Sequence, residues 1–348
     1  MLMIKDRAPG RGTLTVDIAQ ATAILASGGL VAFPTETVYG LGADAENPAA
    51  VAKIYAAKGR PSDHPVIVHL APGADLAYWS SDIPEPARQL VDVFWPGPLT
   101  LILKRAPRIP ASVSGGQDSV GLRCPSHPVA IALLRAFKGG AGGLAAPSAN
   151  KFGHVSPTTA QHVRDEFGHD VLLGAILDGG QSEVGIESTI LDLSRLNTHG
   201  PLLLRPGHIS ADSIAAVIGQ LPQSPDAGAP RAPGTLASHY APHTPLAMQD
   251  GSMIAATLAG LAAAGRIVAL IHYSDVAGAA AVSSLRLPPK ADAYAHALYG
   301  ALRAMDDTGA DLILLEAPPR SAPWAGANDR LRRAVYGSAG IIEQLLQA

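Results

Sequence analysis

Leu30-Val31-Ala32-Phe33-Pro34-Thr35-Glu36-Thr37-Val38-Tyr39-Gly40-Leu41-Gly42 runs from an apolar tetrapeptide into a hydroxyl-rich, glycine-ended segment. The apolar run, closed by a proline, reads as a buried strand. In α/β sheets the loop that follows a strand is where ligands are placed. Thr35 and Thr37 offer donors and acceptors without charge, which suits an amino-acid ligand. Read alone, the same residues also make an ordinary polar turn, with Glu36 structural.

Outward from this stretch, helix and strand signals alternate to about residue 218. Asp17 to Ser27 has helical spacing, with Ile18, Ala21, Ile24 and Leu25 on one side and Gly28-Gly29 ending it. Residues 48–58 read as a helix with Pro48 in its first turn. Strands are expected at 66–70, 99–103, 119–122, 172–177, 189–193 and 202–204, and helices at 84–94, 127–137, 158–166 and 210–219. The fold class is therefore α/β: a mixed sheet domain over 1–218. Residues 219–245 carry Pro222, Pro225, Pro230, Pro233, Pro242 and Pro245, which excludes regular helix and central strand. They read as a proline-stiffened linker. Ser238-His239-Tyr240-Ala241-Pro242-His243 within it is too aromatic and His-rich for a pure spacer. Residues 246–348 read as a smaller α/β unit, with helices at 253–264, 293–305 and 327–346 and strands at 267–272 and 311–315.

Composition narrows the function classes. Lys+Arg 26 against Asp+Glu 29 gives a net charge of −3, so affinity for phosphate must be local rather than a property of the whole surface. The single cysteine, Cys124, excludes an internal disulfide and a Cys-rich zinc site. Residues 1–12 lack the apolar run of a signal peptide, and no stretch is long and uncharged enough to span a bilayer. A cytoplasmic protein with no membrane association is expected.

Further islands carry chemistry. Lys58-Gly59-Arg60-Pro61 ends a helix, where cations complement the helix dipole and side chains are expected to be exposed. A lysine beside a forked arginine is equally a clamp for adjacent phosphates. His69 lies in an apolar strand, the usual setting of a core histidine. Arg123, near the end of its strand, suits a carboxylate, whereas Cys124 beside Pro125 suits a small buried side chain. Gly142 to Asn150 reads as a short apolar strand running into the small-residue loop Pro147-Ser148-Ala149-Asn150, which lets backbone approach a ligand. Gly185-Ile186-Glu187-Ser188-Thr189 precedes a strand, and Arg205 closes another. No P-loop, Rossmann glycine fingerprint, His-Glu-x-x-His or Gly-x-Ser-x-Gly occurs.

Together these islands resemble the YrdC-like family in its long two-domain form, the L-threonylcarbamoyladenylate synthases. The matching motifs are PTETVYGLG (34–42), KGRPSDHP (58–65), PGPLT (96–100), SVGLRCPSHP (119–128), PSAN (147–150), GIEST (185–189), RPG (205–207) and HYAP (239–242). The resemblance implies an open, twisted, mostly parallel α/β sheet with a concave face, followed by a smaller Rossmann-like α/β domain. It implies a nucleotidyltransferase that converts ATP, L-threonine and bicarbonate to the adenylate and pyrophosphate, with Mg²⁺ accompanying ATP. The product would serve threonylcarbamoyl modification of the tRNA adenosine beside the anticodon, making tRNA or tRNA-modification proteins possible partners. Carried over by position, Lys58 and Arg60 contact the phosphates as catalytic cations, aided by Ser148 and Asn150. Thr37, His69, Arg123, Ser148 and Ser188 surround threonine. Arg60, His64, Ser119, Asn150, Thr158, Arg205 and Tyr240 line the nucleotide. Thr35 helps either substrate. His64 stands where relatives often carry Asn. The linker is expected to fold over the crevice as a lid. Metal ligands are not identified. The alternative is a module that holds tRNA or double-stranded RNA without catalysis, against which the near-neutral charge counts. Carbamoyl transfer by a related domain requires Cys-rich zinc fingers that one cysteine cannot build.

Overall fold

The computed structural model describes residues 17–168, 170–276 and 281–347. The N-terminal stretch read above for a leader lies outside these residues. Among them, no helix is long and apolar enough to cross a membrane. The first helix, Ile18–Ala26, starts where Asp17 and Gln20 cap each other reciprocally, which satisfies two N-terminal donors. It buries Ala21 and Leu25.

The first sheet is built from β1 (Leu30–Phe33), β2 (Gly40–Asp44), β3 (Ile67–Leu70), β4 (Ser80–Asp82), β5 (Leu99–Arg105), β6 (Ser119–Arg123), β7 (Gly143–Ala145), β8 (Leu173–Ile176), β9 (Thr189–Asp192) and β10 (Leu202–Arg205). Its order is β10-β9-β5-β6-β3-β7-β2-β1-β8, with β4 paired to β5. Helices Pro48–Lys58, Glu85–Phe94, Pro128–Ala136, Ala160–Phe167 and Ala211–Ile218 accompany it. The expected α/β sheet is present, and its pairing is mixed. β1–β8, β3–β6 and β5–β9 run parallel, whereas β1–β2, β2–β7, β3–β7, β4–β5, β5–β6 and β9–β10 run antiparallel. The short 34–39 connection dictates this at β1–β2, because a parallel return needs a crossover of roughly a dozen residues or more.

β2 is a strand the sequence conceals. Its Gly-Leu-Gly start weakens the strand signal, yet a Cβ on Gly42 would meet the Phe33 ring at 2.8 Å. Close packing of β1 on β2 therefore selects glycine.

The second sheet contains β11 (Leu246–Gln249), β12 (Val268–His272), β13 (Ser283–Arg286) and β14 (Leu312–Glu316). Its order is β11-β14-β12-β13, parallel throughout. Neither β11 nor the polar β13 is legible in the sequence. The helix expected over 327–346 is broken into Ala325–Ala334 and Ile341–Gln347. Gly337 and Gly340 stand in the break, the latter at φ 75°, a conformation that favours glycine. Residues 219–245 form no helix or strand beyond the bridges Leu202↔Gln223 and His154↔Ala241.

One apolar cluster joins Val38, Ile186 and Tyr240 to Leu298, Tyr299, Trp324 and Leu331. The two sheet units thus share a core. At Gly185 (φ 80°) they approach so closely that a Cβ would lie 2.5 Å from the His296 Cα. Gly185→Ala is therefore expected to destabilise the protein by roughly 2–4 kcal/mol, combining left-handed strain with a backbone clash. Urea unfolding measures this, and a change under 0.5 kcal/mol would contradict the close contact.

Candidate active site

The 34–39 loop folds on one hydroxyl. Thr35 Oγ1 donates to the Val38 carbonyl at 2.7 Å and accepts from the N–H groups of Thr37 and Val38. Its only proton being committed, the 2.9 Å contact between the two threonine hydroxyls must be donated by Thr37. Thr37 then presents oxygen lone pairs, an acceptor suited to a substrate amine or hydroxyl. The 147–150 loop is tied to the same strand by Leu41 N–H to Pro147 and Ala149 N–H to Tyr39 bonds, both 2.8 Å.

β3 and β6 pair in parallel with His69 opposite Arg123, so register sets two side chains far apart in sequence side by side. Arg123 donates to Glu36 Oε1 at 2.6 Å and to the Gly97 carbonyl at 3.3 Å. Glu36 also accepts from the Ser126 N–H. It is thus an orienting partner for Arg123, and four of the five arginine N–H groups are not committed to the carboxylate. Ser188, just ahead of β9, contacts the Thr100 hydroxyl at 2.8 Å. Arg205, ending β10, holds the Ser188 carbonyl at 3.0 Å and its hydroxyl at 3.2 Å.

These loop ends line a narrow cleft of about 40 Å³ that opens to solvent. Its lining includes Thr35, Thr37, Arg60, His69, Arg123, Ser148, Glu187, Ser188, Arg205, Gly234, His239 and Tyr240. Nine of the residues expected at the site are among these: Thr35, Thr37, Arg60, His69, Arg123, Ser148, Ser188, Arg205 and Tyr240. The linker supplies a wall, with Tyr240 buried at φ 64°. A Cβ on Gly234 would fall 1.9 Å from the Tyr240 hydroxyl, so only glycine admits that ring. The Tyr240 hydroxyl, His239 Nδ1, His69 Nδ1 and Arg60 Nε are buried without a partner. Unpaired polar groups in one cavity mark where ligand atoms would complete the bonding.

Other expected residues stand apart. Lys58 is not in the lining, and neither it nor Arg60 is exposed as their helix-end position suggested: their accessibilities are 3% and 7%. The C-terminus of helix Pro48–Lys58 packs inward, and Lys58 Nζ donates to the carbonyls of Ser148 (2.6 Å) and Asn150 (2.5 Å). Burial, then the Arg60 charge, pushes the Lys58 ammonium well below its usual range. Asn150 donates to the carbonyls of Lys151 and His154, leaving its buried Oδ1 unpaired. His64 stands edge-on to Phe152. Thr158 faces His162 Nδ1 through its N–H and hydroxyl. Ser119 lines a separate groove with Lys104, Arg105 and Arg195. Glu187 and His239 lie inside quoted motifs but were assigned no role, because the loop that aims them has no periodicity to read. Burial pushes the Cys124 thiol up to about 12, which fits an inert small side chain.

Burial holds His69 and His239 down to about 3, and burial followed by the Arg303 charge holds His162 at about 4. Each binds fewer protons folded than unfolded, so stability is present above their ordinary value near 6.5 and is lost as pH falls towards 4 and 3. Burial raises the Glu187 carboxyl, but Arg330, Arg205 and the Ser156 bond outweigh it and hold it at about 2. Its contribution is lost below pH 4.5. Thermal midpoint is therefore expected to be flat near pH 7–8 and to fall by roughly 3–8 °C between pH 7 and 5. His69→Gln should flatten that slope. A midpoint independent of pH from 7 to 5 would contradict the neutral, buried histidines.

Fold and cleft together fit an α/β enzyme whose cleft is lined by arginines and hydroxyls. A family model described as "Telomere recombination" matches residues 23–207, and one described as "Threonylcarbamoyl-AMP synthase, C-terminal domain" matches 209–335. The threonylcarbamoyl-AMP synthase of Bacillus subtilis is 42% identical over 92% of this chain and 93% of its own length. That of Pyrococcus abyssi is 38% identical over 90% and 92%. A solved structure of P. abyssi Sua5 complexed with L-threonine matches with a TM-score of 0.83 and 37% identity, over 91% of this chain and 94% of that one. The chain belongs to the two-domain threonylcarbamoyl-AMP synthase family of enzymes.

Proposed function

We propose that the cleft binds L-threonine, ATP and bicarbonate and releases L-threonylcarbamoyl-AMP, pyrophosphate and water. The observation that carries this reading is the meeting of Arg60 and Arg205 with Thr37, His69, Arg123 and Ser188 around one cleft. Arg123 suits the threonine carboxylate, and Thr37 and Ser188 suit its amine and hydroxyl. The threonine amine adds to the carbon of bicarbonate with loss of water, or to carbon dioxide with loss of a proton, giving a carbamate. A carbamate oxygen then attacks the α-phosphorus of ATP, and the bond to pyrophosphate breaks. Negative charge grows on phosphoryl oxygens, and fixed guanidinium groups stabilise it without reorganising.

Lys58 has a supporting role in this scheme: by holding two carbonyls of the 147–150 loop it sets the loop's N–H groups and Ser148 towards the phosphates. Among the described residues, no group of three or more His, Cys, Asp or Glu is arranged to hold a metal. Glu36 and Glu187 are both engaged by arginines. Mg²⁺ would therefore enter with ATP on the phosphate oxygens, where it supplies charge neutralisation. Tyr240 and the linker would exclude water from a labile mixed anhydride. The adenylate would serve threonylcarbamoyl transfer to tRNA in the cytoplasm. Incubation with ATP, Mg²⁺, bicarbonate and labelled threonine tests the reading directly. Labelled adenylate and stoichiometric pyrophosphate are expected, and pyrophosphate release independent of threonine would overturn it.

A further inference from the structure

The second domain sends two side chains to the wall of the cavity. Arg330, on helix Ala325–Ala334, is 1% exposed. Its Nε donates to Glu187 Oε2 at 2.8 Å, and its Nη2 to the Glu187 carbonyl at 3.0 Å. Its Nη1 bonds the Pro206 carbonyl at 2.9 Å and Asp329 at 3.0 Å. Tyr299, on helix Ala291–Asp306, donates to the same Glu187 Oε2 at 2.9 Å. Both also meet the linker. The Arg330 guanidinium lies 5.4 Å from the centre of the Tyr240 ring, and Tyr299 stacks on that ring at 5.9 Å and 25°. Arg333, one helical turn on, bonds the Leu236 carbonyl and accepts from the His239 N–H.

Residues 187 and 188 are thus gripped from two sides. Arg205 of the first domain fixes Ser188, while Arg330 of the second fixes Glu187. A planar fork that makes four bonds to three residues permits one orientation, and a lysine cannot reproduce it. We propose that Arg330, with Tyr299, is a positioning residue for the threonine side of the cavity. Through Glu187 it sets Ser188, and through Tyr240 it latches the linker. The second domain is then part of the active site rather than an appendage. This inference rests on the reading of the cavity as the threonine site.

The test compares Arg330→Met, Arg330→Lys, Glu187→Gln and the Glu187→Gln/Arg330→Met double variant. In Arg330→Met, KM for threonine should rise about 10- to 100-fold. Arg330→Lys should restore part of the loss. The double variant should be no worse than the poorer single, because the two residues act as one unit. A folded Arg330→Met with threonine KM within twofold of wild type, or single effects that multiply in the double, would overturn the proposal. Should Arg330→Met fail to fold, Tyr299→Phe removes one hydroxyl only. It should raise threonine KM about 3- to 10-fold, and an unchanged KM counts against the inference. Proteolysis of the 219–245 linker in substrate-free protein separates this failure from that of the functional reading. Faster cleavage in Arg330→Lys or Tyr299→Phe than in wild type supports the latch even if no adenylate forms. Equal cleavage rates reject it.

Discussion

Valine offered in place of L-threonine is expected to support adenylate formation up to about 10⁴-fold less well in kcat/KM. Valine has nearly the same shape, but its methyl would face polar groups. His69 Nδ1 is buried and unpaired, and Thr37, whose proton goes to Thr35, keeps lone pairs free to accept. Seating a methyl there strands buried polar atoms, which costs far more than a lost contact. Serine keeps the hydroxyl and loses one methyl, so its penalty should be only about 10- to 200-fold. Pyrophosphate release with each amino acid decides this. Equal rates with valine and threonine would remove these residues from the amino-acid pocket.

Arg60→Ala is expected to lower kcat/KM about 100- to 1,000-fold, the usual loss when one charged transition-state contact is removed. Arg60 donates to the Pro65 carbonyl at 2.8 Å and lies 5.6 Å from the Phe152 ring, while its Nε has no partner. It is therefore held in place with donors to spare. Because the side chain is buried rather than exposed, Ala also opens a void, and a loss of stability must accompany the kinetic one. Arg60→Lys separates the two effects: it fills the space, keeps the charge and lacks the fork. An intermediate rate is expected from it. Wild-type turnover by a folded Arg60→Ala protein would show that the cation takes no part in the reaction.

Much of the first sheet is legible along the chain, because β1, β3, β5, β8 and β9 are short apolar runs bounded by Gly, Pro or polar residues. β2 carries a glycine where the Phe33 ring approaches, so the feature that makes it fit also hides it. β7 reads as a short apolar strand despite Gly143, whose added Cβ would lie 2.6 Å from the Trp79 ring. The site was legible as islands, since loops rich in Thr, Ser, Asn and Arg stand out between apolar runs. Lys58 and Arg60 show the limit of that reading. A cation at a helix end looks solvated until the loop that covers it is known.

By itself, the chain determines which residues carry charge, hydroxyls and backbone freedom, because these are properties of side chains and of their immediate neighbours. It also determines that the proline-dense segment cannot form a regular helix or a central strand, because proline lacks the N–H that either requires. Tertiary structure alone decides which islands meet. The β3–β6 register places His69 beside Arg123, the close approach at Gly185 brings the second domain onto the 185–189 loop, and Gly234 lets the Tyr240 ring into the cavity wall. Arg330 gives no local signal at all. It sits among Asp329, Arg332 and Arg333 on what reads as a solvated helix face, and only its burial against Glu187 and Tyr240 turns a charge-rich segment into part of the site. Such contacts join residues far apart along the chain, and no local pattern encodes them.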